Sequence, residues 1–573
     1  MFSQRVLYYQ LVTFGALYLF ANLLSVHVHP FRTYYHETLV VVAVLACCLG
    51  FVSSSKIEIR LSAVLFIPIF CIFALFMQSV IGLSRFQYSV YPLFYFVLTV
   101  LAMILGACWT ETSQGAERIC LMFAWVQLLA SVLSVLMQCI QIAGLDWSPI
   151  VMYMAYSPDT PMRPFANVAQ PNQLALLLCF GLASIWWLVQ TKRLNGYLAL
   201  AFSVFLLWGL ALTQSRIAWI ILPVFALLAW CRVIGEYPLR RTAILLLLLV
   251  YVGFVWFLPS IADMLGFSSA SIAERVGGRS ERSGLLQQAW FMIKQHPWFG
   301  VGWFDFGAEQ VKIAADFPST IYAEHSHNLV LNLMAELGVP AALLIFAALL
   351  FWFYQTCVAR SAAKNNQVAF VMLSLIAVGV HSMVEFPLWY AYVLLPIAVL
   401  MGMLHQMRWP DQAWVITVPR LVPAAISVTG MVVLVFVTLD YQRVVDGFKA
   451  FRQAATIAAV PEAAIARPAL TLLPDYFDYF QLMKVTPKEN MSAQEIAFVE
   501  RMSLRFGYVH VLNKLAEVYV LNGQPAKAQR SLQTLQRLHP IAYPGYFDYW
   551  QSLAQNDERF AVVFLQMPKR DAP

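Results

Sequence analysis

Charge is what this sequence has least of. Only 12% of its 573 residues are Asp, Glu, Lys or Arg, while 61% are hydrophobic. A soluble domain carries roughly 25% charged residues. A larger globular core cannot absorb that deficit, so most of the chain must face lipid. No basic run with interleaved aromatics occurs, which argues against a nucleic-acid partner. The net charge of +7 instead reports topology. Spacing of the C-x-x-C kind is missing among the nine cysteines, so a thiolate zinc site is not indicated. The polar stretches hold no cysteine and use no disulfide staples. A cleavable-signal pattern is also lacking, and residues 6–26 read as a first span that is retained.

What is present is a series of apolar runs, each near the roughly 20 residues a helix needs to cross a bilayer. They cover 6–26, 37–53, 61–82, 89–109, 119–143, 172–190, 194–212, 216–233, 242–259, 328–355, 366–384, 388–406 and 421–439. The expected fold class is an all-α polytopic membrane protein. One set of ends carries Arg5, Lys56, Arg60, Arg118, Lys192, Arg193, Arg232, Arg240, Arg241, Arg360, Lys364, Arg408 and Arg420. The alternate short loops carry only Arg32, Arg85, Arg163 and Arg216. Basic residues collect on the cytoplasmic side, so the second set faces outward. The longer loops 144–171 and 260–327 and the tail face outward with it.

The domain division expected is 1–440 for the membrane part and 441–573 for a helical outward domain. In the tail, Leu512, Leu515, Ala516, Tyr519, Gly523, Ala526, Ala528, Leu532, Leu535 and Pro540 follow a helical-hairpin pattern similar to one tetratricopeptide unit. Within the large loop, Ser280–Gln295 predicts an amphipathic helix, with Leu285, Leu286, Ala289, Trp290 and Ile293 on its apolar side. Gly300-Val301-Gly302 then turns the chain. The loop 144–171 is proline-rich and predicts irregular or partly re-entrant structure.

Ionisable groups are costly in a bilayer, so those at its edge are candidates for function. His325 and His327, in Glu324-His325-Ser326-His327-Asn328, can move a proton near neutral pH. Asn328 is placed to orient the ring, and Glu336 follows on the expected helix. His-x-His with His381 and Glu385 could also supply four metal ligands, but nothing in sequence brings the pairs together. The outward arginines Arg85, Arg163, Arg216, Arg275, Arg279 and Arg282 suit phosphate oxygens, which guanidinium groups pair bidentately. Arg216 stands at the lip of a span in Thr213-Gln214-Ser215-Arg216, where snorkelling is the plainer alternative. The amides Asn167, Gln170, Asn172 and Gln173 suit sugar hydroxyls, with helix capping by Asn172 as the local alternative. In the turn His381–Tyr390, Glu385 is the one acid, and Trp389 and Tyr390 also fit an interfacial aromatic belt.

In combination these motifs resemble a known family. His327-Asn328 with Gly338 is similar to the signature of the O-antigen ligase and O-oligosaccharyltransferase superfamily. The segment from Arg282 through His296-Pro297 to Gly300-Val301-Gly302 resembles the stretch upstream of it. Asn167–Gln173 and His381–Tyr390 look like motifs of the PglL group of protein glycosylation ligases. Ala341 departs from the usual Gly, Thr or Tyr. The resemblance implies a GT-C-type glycosyltransferase of the bacterial inner membrane, its site facing the periplasm, acting without metal or cofactor and inverting the anomeric centre. The implied donor is a glycan on undecaprenyl diphosphate, and the implied acceptor is a Ser or Thr of a pilin or other periplasmic protein. His327 would activate the acceptor. Arg216 and Arg282, with Arg279, Arg85 and Arg163, would hold the diphosphate. His325, Asn328, Gln170, Asn172, Gln173, Gln214, Glu385 and Tyr390 would support the substrates. A lipopolysaccharide ligase or a glycan polymerase shares this donor chemistry. A transporter would need paired mid-membrane charges and repeated halves, and the sequence has neither.

Overall fold

The computed structural model describes residues 4–53, 56–86, 91–112, 114–155, 161–237, 239–269, 282–411 and 414–570. Among them, ten helices are long and apolar enough to cross a membrane, from Gln4–Leu23 to Leu421–Gln453. Three shorter apolar helices, Tyr34–Leu49, Ala218–Trp230 and Asn366–Ser382, fall on three further predicted runs. The protein is a multi-pass, all-α membrane protein. Among the described residues it adds one two-stranded antiparallel ribbon, Lys56–Leu61 paired with Trp414–Pro419. The second strand is β-branched at four successive positions, Val415 to Val418, and the first at Ile57 and Ile59, residue types that favour a pleated pair.

The chain divides into two compact units. The first comprises Met1–Cys71, Phe94–Gly278 and Ala347–Leu434. Its core closes around Phe14, Trp109 and Phe123, whose rings meet edge to face at 5.8 Å from Phe14. Helix Pro171–Gln190 is enclosed along nearly its whole length. Backbones approach closely at Gly106 and Gly402, where an added Cβ would lie 2.0 Å from the Val399 carbonyl and 1.9 Å from that of Met103.

The described parts of the proline-rich loop before Pro171 are irregular, and polar side chains of helix Gly115–Ile142 hold them. Gln138 donates to the carbonyls of Pro164 and Gly209, at 2.9 and 3.2 Å. Gln141 donates to those of Met152 and Ala166 and accepts from the N–H of Phe165 and Ala166. Asn167, wholly buried, accepts from Met152 N–H and donates to the carbonyls of Leu23 and Ile150. Buried backbone groups must find partners, and here three amides supply them in place of a helix.

The second unit comprises Ile72–Leu93, Arg279–Phe346 and Val435–Pro573. Its amphipathic helix runs Arg282–Gln295 and buries Leu285, Ala289, Met292 and Ile293. Trp290 was expected on that face but is 54% exposed. The buried place goes to Gln288, whose Oε1 accepts from Gln310 Nε2 at 2.8 Å. A single span over 328–355 was also expected, and the structure breaks it into Leu329–Leu337 and Val339–Phe353. Gly338 makes the break at φ +85°, and a Cβ there would lie 2.3 Å from the Trp298 carbonyl. Only glycine takes such a conformation beside another backbone without strain. The tail contains the expected hairpin as Val509–Leu521 and Pro525–Leu538, with Leu512, Ala516, Ala528, Leu532 and Leu535 buried.

Candidate functional site

In the first unit, three separate sequence motifs meet. Helix Gly196–Thr213 stops because Gln214 turns left-handed, at φ +51°. Gln214 Nε2 then donates to the Met162 carbonyl at 2.6 Å. This brings the freed carbonyl of Thr213 to Arg163, whose Nε donates to it at 3.0 Å. Arg163 Nη2 donates to Asn172 Oδ1 at 3.1 Å, and Ser215 Oγ donates to the same oxygen at 2.8 Å. The other end of the amide, Asn172 Nδ2, donates to Glu385 Oε1 at 2.9 Å. Glu385 is buried, and its backbone N–H reaches back to the His381 carbonyl.

Asn172 is therefore not the helix cap. Gln170 caps, its Oε1 accepting from Gln173 N–H at 2.7 Å, and Pro171 occupies the first turn, where a missing N–H costs nothing. The cap role belongs to the residue just outside the helix, which leaves the Asn172 amide to bridge a guanidinium and a buried carboxylate. Gln173 is buried. Arg216 follows this knot by one residue and is exposed. Tyr390 is half-buried and stacks on Phe386 with ring centroids 5.8 Å apart.

In the second unit, the loop carrying His325 and His327 is tied down residue by residue. Gln310 Oε1 accepts from Ala323 N–H at 2.9 Å, and its Nε2 donates to the Ile321 carbonyl at 3.0 Å. Ser326 is fully buried, its N–H donating to Asn332 Oδ1 at 2.8 Å and its Oγ to the Asn328 carbonyl at 3.0 Å. Asn328 Oδ1 caps helix Leu329–Leu337 by accepting from Leu331 N–H at 3.0 Å. With Ser326 turned inward, the two histidines flank it, half-buried, their rings 4.5 Å apart and nearly perpendicular. His327 itself is left-handed, at φ +56°.

Behind the loop, Gly300 and Gly302 let the chain run against Glu336. A Cβ on Gly300 would lie 2.3 Å from the Glu336 backbone carbonyl. Val301 and Gly302 donate to the carbonyls of Ala335 and Glu336, and Gln78 donates to those of Phe299 and Glu336. Burial raises the Glu336 carboxyl well above the usual carboxylate range, opposed by the Phe304 and Phe306 backbone and Asn332 and reinforced by the nearby Asp305 charge. Asp305, also fully buried, is pushed up to about 6 by burial, with Arg85 pulling the other way. Arg85 is engaged by carboxylates, its Nη1 3.1 Å from Glu309 and its Nε 3.8 Å from Asp305. Arg282 opens its helix half-buried. Arg275 and Arg279 lie outside the described residues.

The structure thus joins Arg163, Asn172, Gln214 and Glu385 in one unit, and His325, His327 and Asn328 in the other. Sequence reasoning passed over Asn332, Gln310 and Asp305, polar residues that local spacing does not single out. Among the described residues, no three His, Cys, Asp or Glu side chains come together so as to hold a metal ion.

Two family models match the chain. The model described as O-antigen ligase covers residues 201–346. That of the virulence factor membrane-bound polymerase, C-terminal, covers 369–556. A general O-oligosaccharyltransferase of Acinetobacter baylyi is 27% identical over 533 residues, 90% of each chain. A ComP-specific O-oligosaccharyltransferase of the same organism is 27% identical over 338 residues, 58% of this chain and 60% of its own. With two models matched on successive stretches and a relative aligned along almost the entire length, the chain is similar to O-antigen ligases and, along most of its length, to protein O-oligosaccharyltransferases.

Proposed function

We propose that this protein transfers a preassembled glycan from undecaprenyl diphosphate to a Ser or Thr hydroxyl of a pilin or other periplasmic protein. One observation carries the reading. The stretch matched by the O-antigen ligase model, 201–346, contains Arg216, Arg282 and His327, the cations and the proton acceptor that this chemistry needs. The excess of Lys and Arg at the opposite loops supports a cytoplasmic-membrane enzyme with these residues on the periplasmic side.

The chemistry needs a proton acceptor for the incoming hydroxyl and fixed cations for the leaving group. The acceptor hydroxyl attacks the anomeric carbon from the face opposite the diphosphate, so the centre inverts. His327 takes the hydroxyl proton as the new C–O bond forms. The bond from the anomeric carbon to the diphosphate breaks, and negative charge gathers on the leaving lipid diphosphate. Guanidinium groups fixed in advance stabilise that charge without reorganisation. Arg216 and Arg282 take this role, and Arg163, held rigid by Thr213 and Asn172, is the third. Arg85 already faces two carboxylates and has the least charge to offer. Fixed guanidinium charge here does what a divalent cation does in metal-dependent transferases.

The test is transfer from lipid-linked oligosaccharide by purified enzyme, scored by mass spectrometry, with a pilin-type protein and a lipopolysaccharide core lipid as rival acceptors. Glycosylated protein is the expected product. Modified core lipid alone would favour the O-antigen ligase reading, and lengthened lipid-linked glycan a polymerase. His327→Asn should abolish transfer while leaving membrane insertion intact. Full activity in that variant would remove the imidazole from the mechanism.

A further inference from the structure

The helical tail carries an arginine placed to act on the histidine loop. Within the second unit, the extended segment entering the loop is held at alternate residues by the tail. Thr320 N–H donates to the Arg537 carbonyl at 2.8 Å and Tyr322 N–H to that of Leu538 at 3.2 Å. At the next alternate position, Glu324 Oε1 accepts from Arg505 Nη1 at 3.0 Å. The residues between are held from the other side by Gln310. His325 is therefore the first residue beyond a stretch in which every position is fixed.

Arg505 is built to be immovable. It is 4% exposed, ends helix Ala493–Arg505, and has its Nε 3.3 Å from Asp475 Oδ2, itself buried. The Phe506 ring lies 4.6 Å from its Cζ. One edge of the guanidinium is spent on Asp475, so the edge toward Glu324 has a set direction. The neighbouring contact is as tight: an added Cβ on Gly507 would stand 2.6 Å from the Tyr322 ring. His539 Nε2 meets the Gly507 carbonyl at 2.7 Å, locking the two tail segments that grip this segment. An exposed ion pair contributes little to stability. Glu324 is 48% exposed and Arg505 only 4%, so a fixed guanidinium holds a side chain that would otherwise be free to move in solvent.

We propose that Arg505 is a positioning residue for glycan transfer, setting through Glu324 where the His325–His327 rings stand. The proposal rests on the role given above to His327. A 1 Å displacement of a reacting group can cost about a hundredfold in rate, so a loosened anchor at residue 324 lowers turnover while donor and acceptor binding persist.

The experiment uses the full chain in detergent or nanodiscs, with His327→Asn alongside. Arg505→Gln and Glu324→Gln should each lower kcat by roughly tenfold with both KM values within twofold, from loss of that one anchor. The double variant should be no slower than the worse single, because one contact is removed in all three. Arg505→Lys should recover part of the loss. Glu324→Gln leaves no buried charge unpaired, so it remains informative if Arg505→Gln fails to fold. A folded Glu324→Gln protein with unchanged kcat overturns the proposal, as do losses that multiply in the double variant. An active His327→Asn enzyme would instead overturn the functional reading, whatever the Arg505 variants do.

Discussion

Asn172→Ala offers a direct test of how the first unit holds its guanidinium. The side chain makes three hydrogen bonds, from Arg163 and Ser215 and to Glu385. Two involve ionic side chains, for which each bond contributes about 1.5–3 kcal/mol, and the third about 1 kcal/mol. The alanine variant leaves Glu385 buried without its amide donor and leaves Arg163 held at Nε by the Thr213 carbonyl. If Arg163 stabilises the leaving diphosphate, misplacing it removes one charge-assisted contact from the transition state, about 2–3 kcal/mol. That corresponds to a fall in kcat/KM for the donor of roughly 30- to 150-fold. Asn172→Asp separates geometry from charge. It preserves an acceptor for Arg163 but sets a second carboxylate against Glu385, and its loss should shrink as pH falls and one of the two takes up a proton. The assay is initial-rate transfer at varied donor, with thermal melting in the same detergent. Transfer by Asn172→Ala within threefold of the parent would refute the argument.

Two further substitutions probe the second unit. Asp305→Asn should make melting less dependent on pH. Its carboxyl is pushed from the usual 3.8 to about 6, so the folded state takes up a proton before the unfolded chain does. Ionisation therefore costs the parent stability above pH 6, by about 3 kcal/mol, and the parent regains it as pH falls toward 4. Parallel melting curves for the two proteins from pH 7.5 to 4.5 would contradict this. Gly338→Ala should destabilise by about 3 kcal/mol or more, since it meets both a left-handed backbone and a 2.3 Å approach to the Trp298 carbonyl. A normal yield of stable membrane protein would show that the neighbouring backbone can yield.

The spans were legible because lipid demands long apolar runs, and nothing subtler is needed to see Gly115–Ile142 or Pro171–Gln190. The break at Gly338 was not, because apolar residues continue on both sides of it and periodicity alone cannot register one left-handed residue. Arg163, Asn172, Gln214 and Glu385 were visible as polar residues at span edges. Their union was not, since it depends on Gln170 taking the cap and on where helix Gly196–Thr213 stops. Arg505 escaped notice altogether: 181 residues separate it from Glu324, and within its own helix it looks like an ordinary last-turn arginine.

The left-handed backbone at His327 narrows what evolution or a library can place there. Asn, Asp, His and Gly enter that region at least cost, whereas a valine or isoleucine there is a steric outlier. Saturation of this codon, sorted once for membrane abundance and once for glycoprotein output, should yield two different survivor sets. The first reports what the peptide backbone accepts, and the second should shrink to histidine.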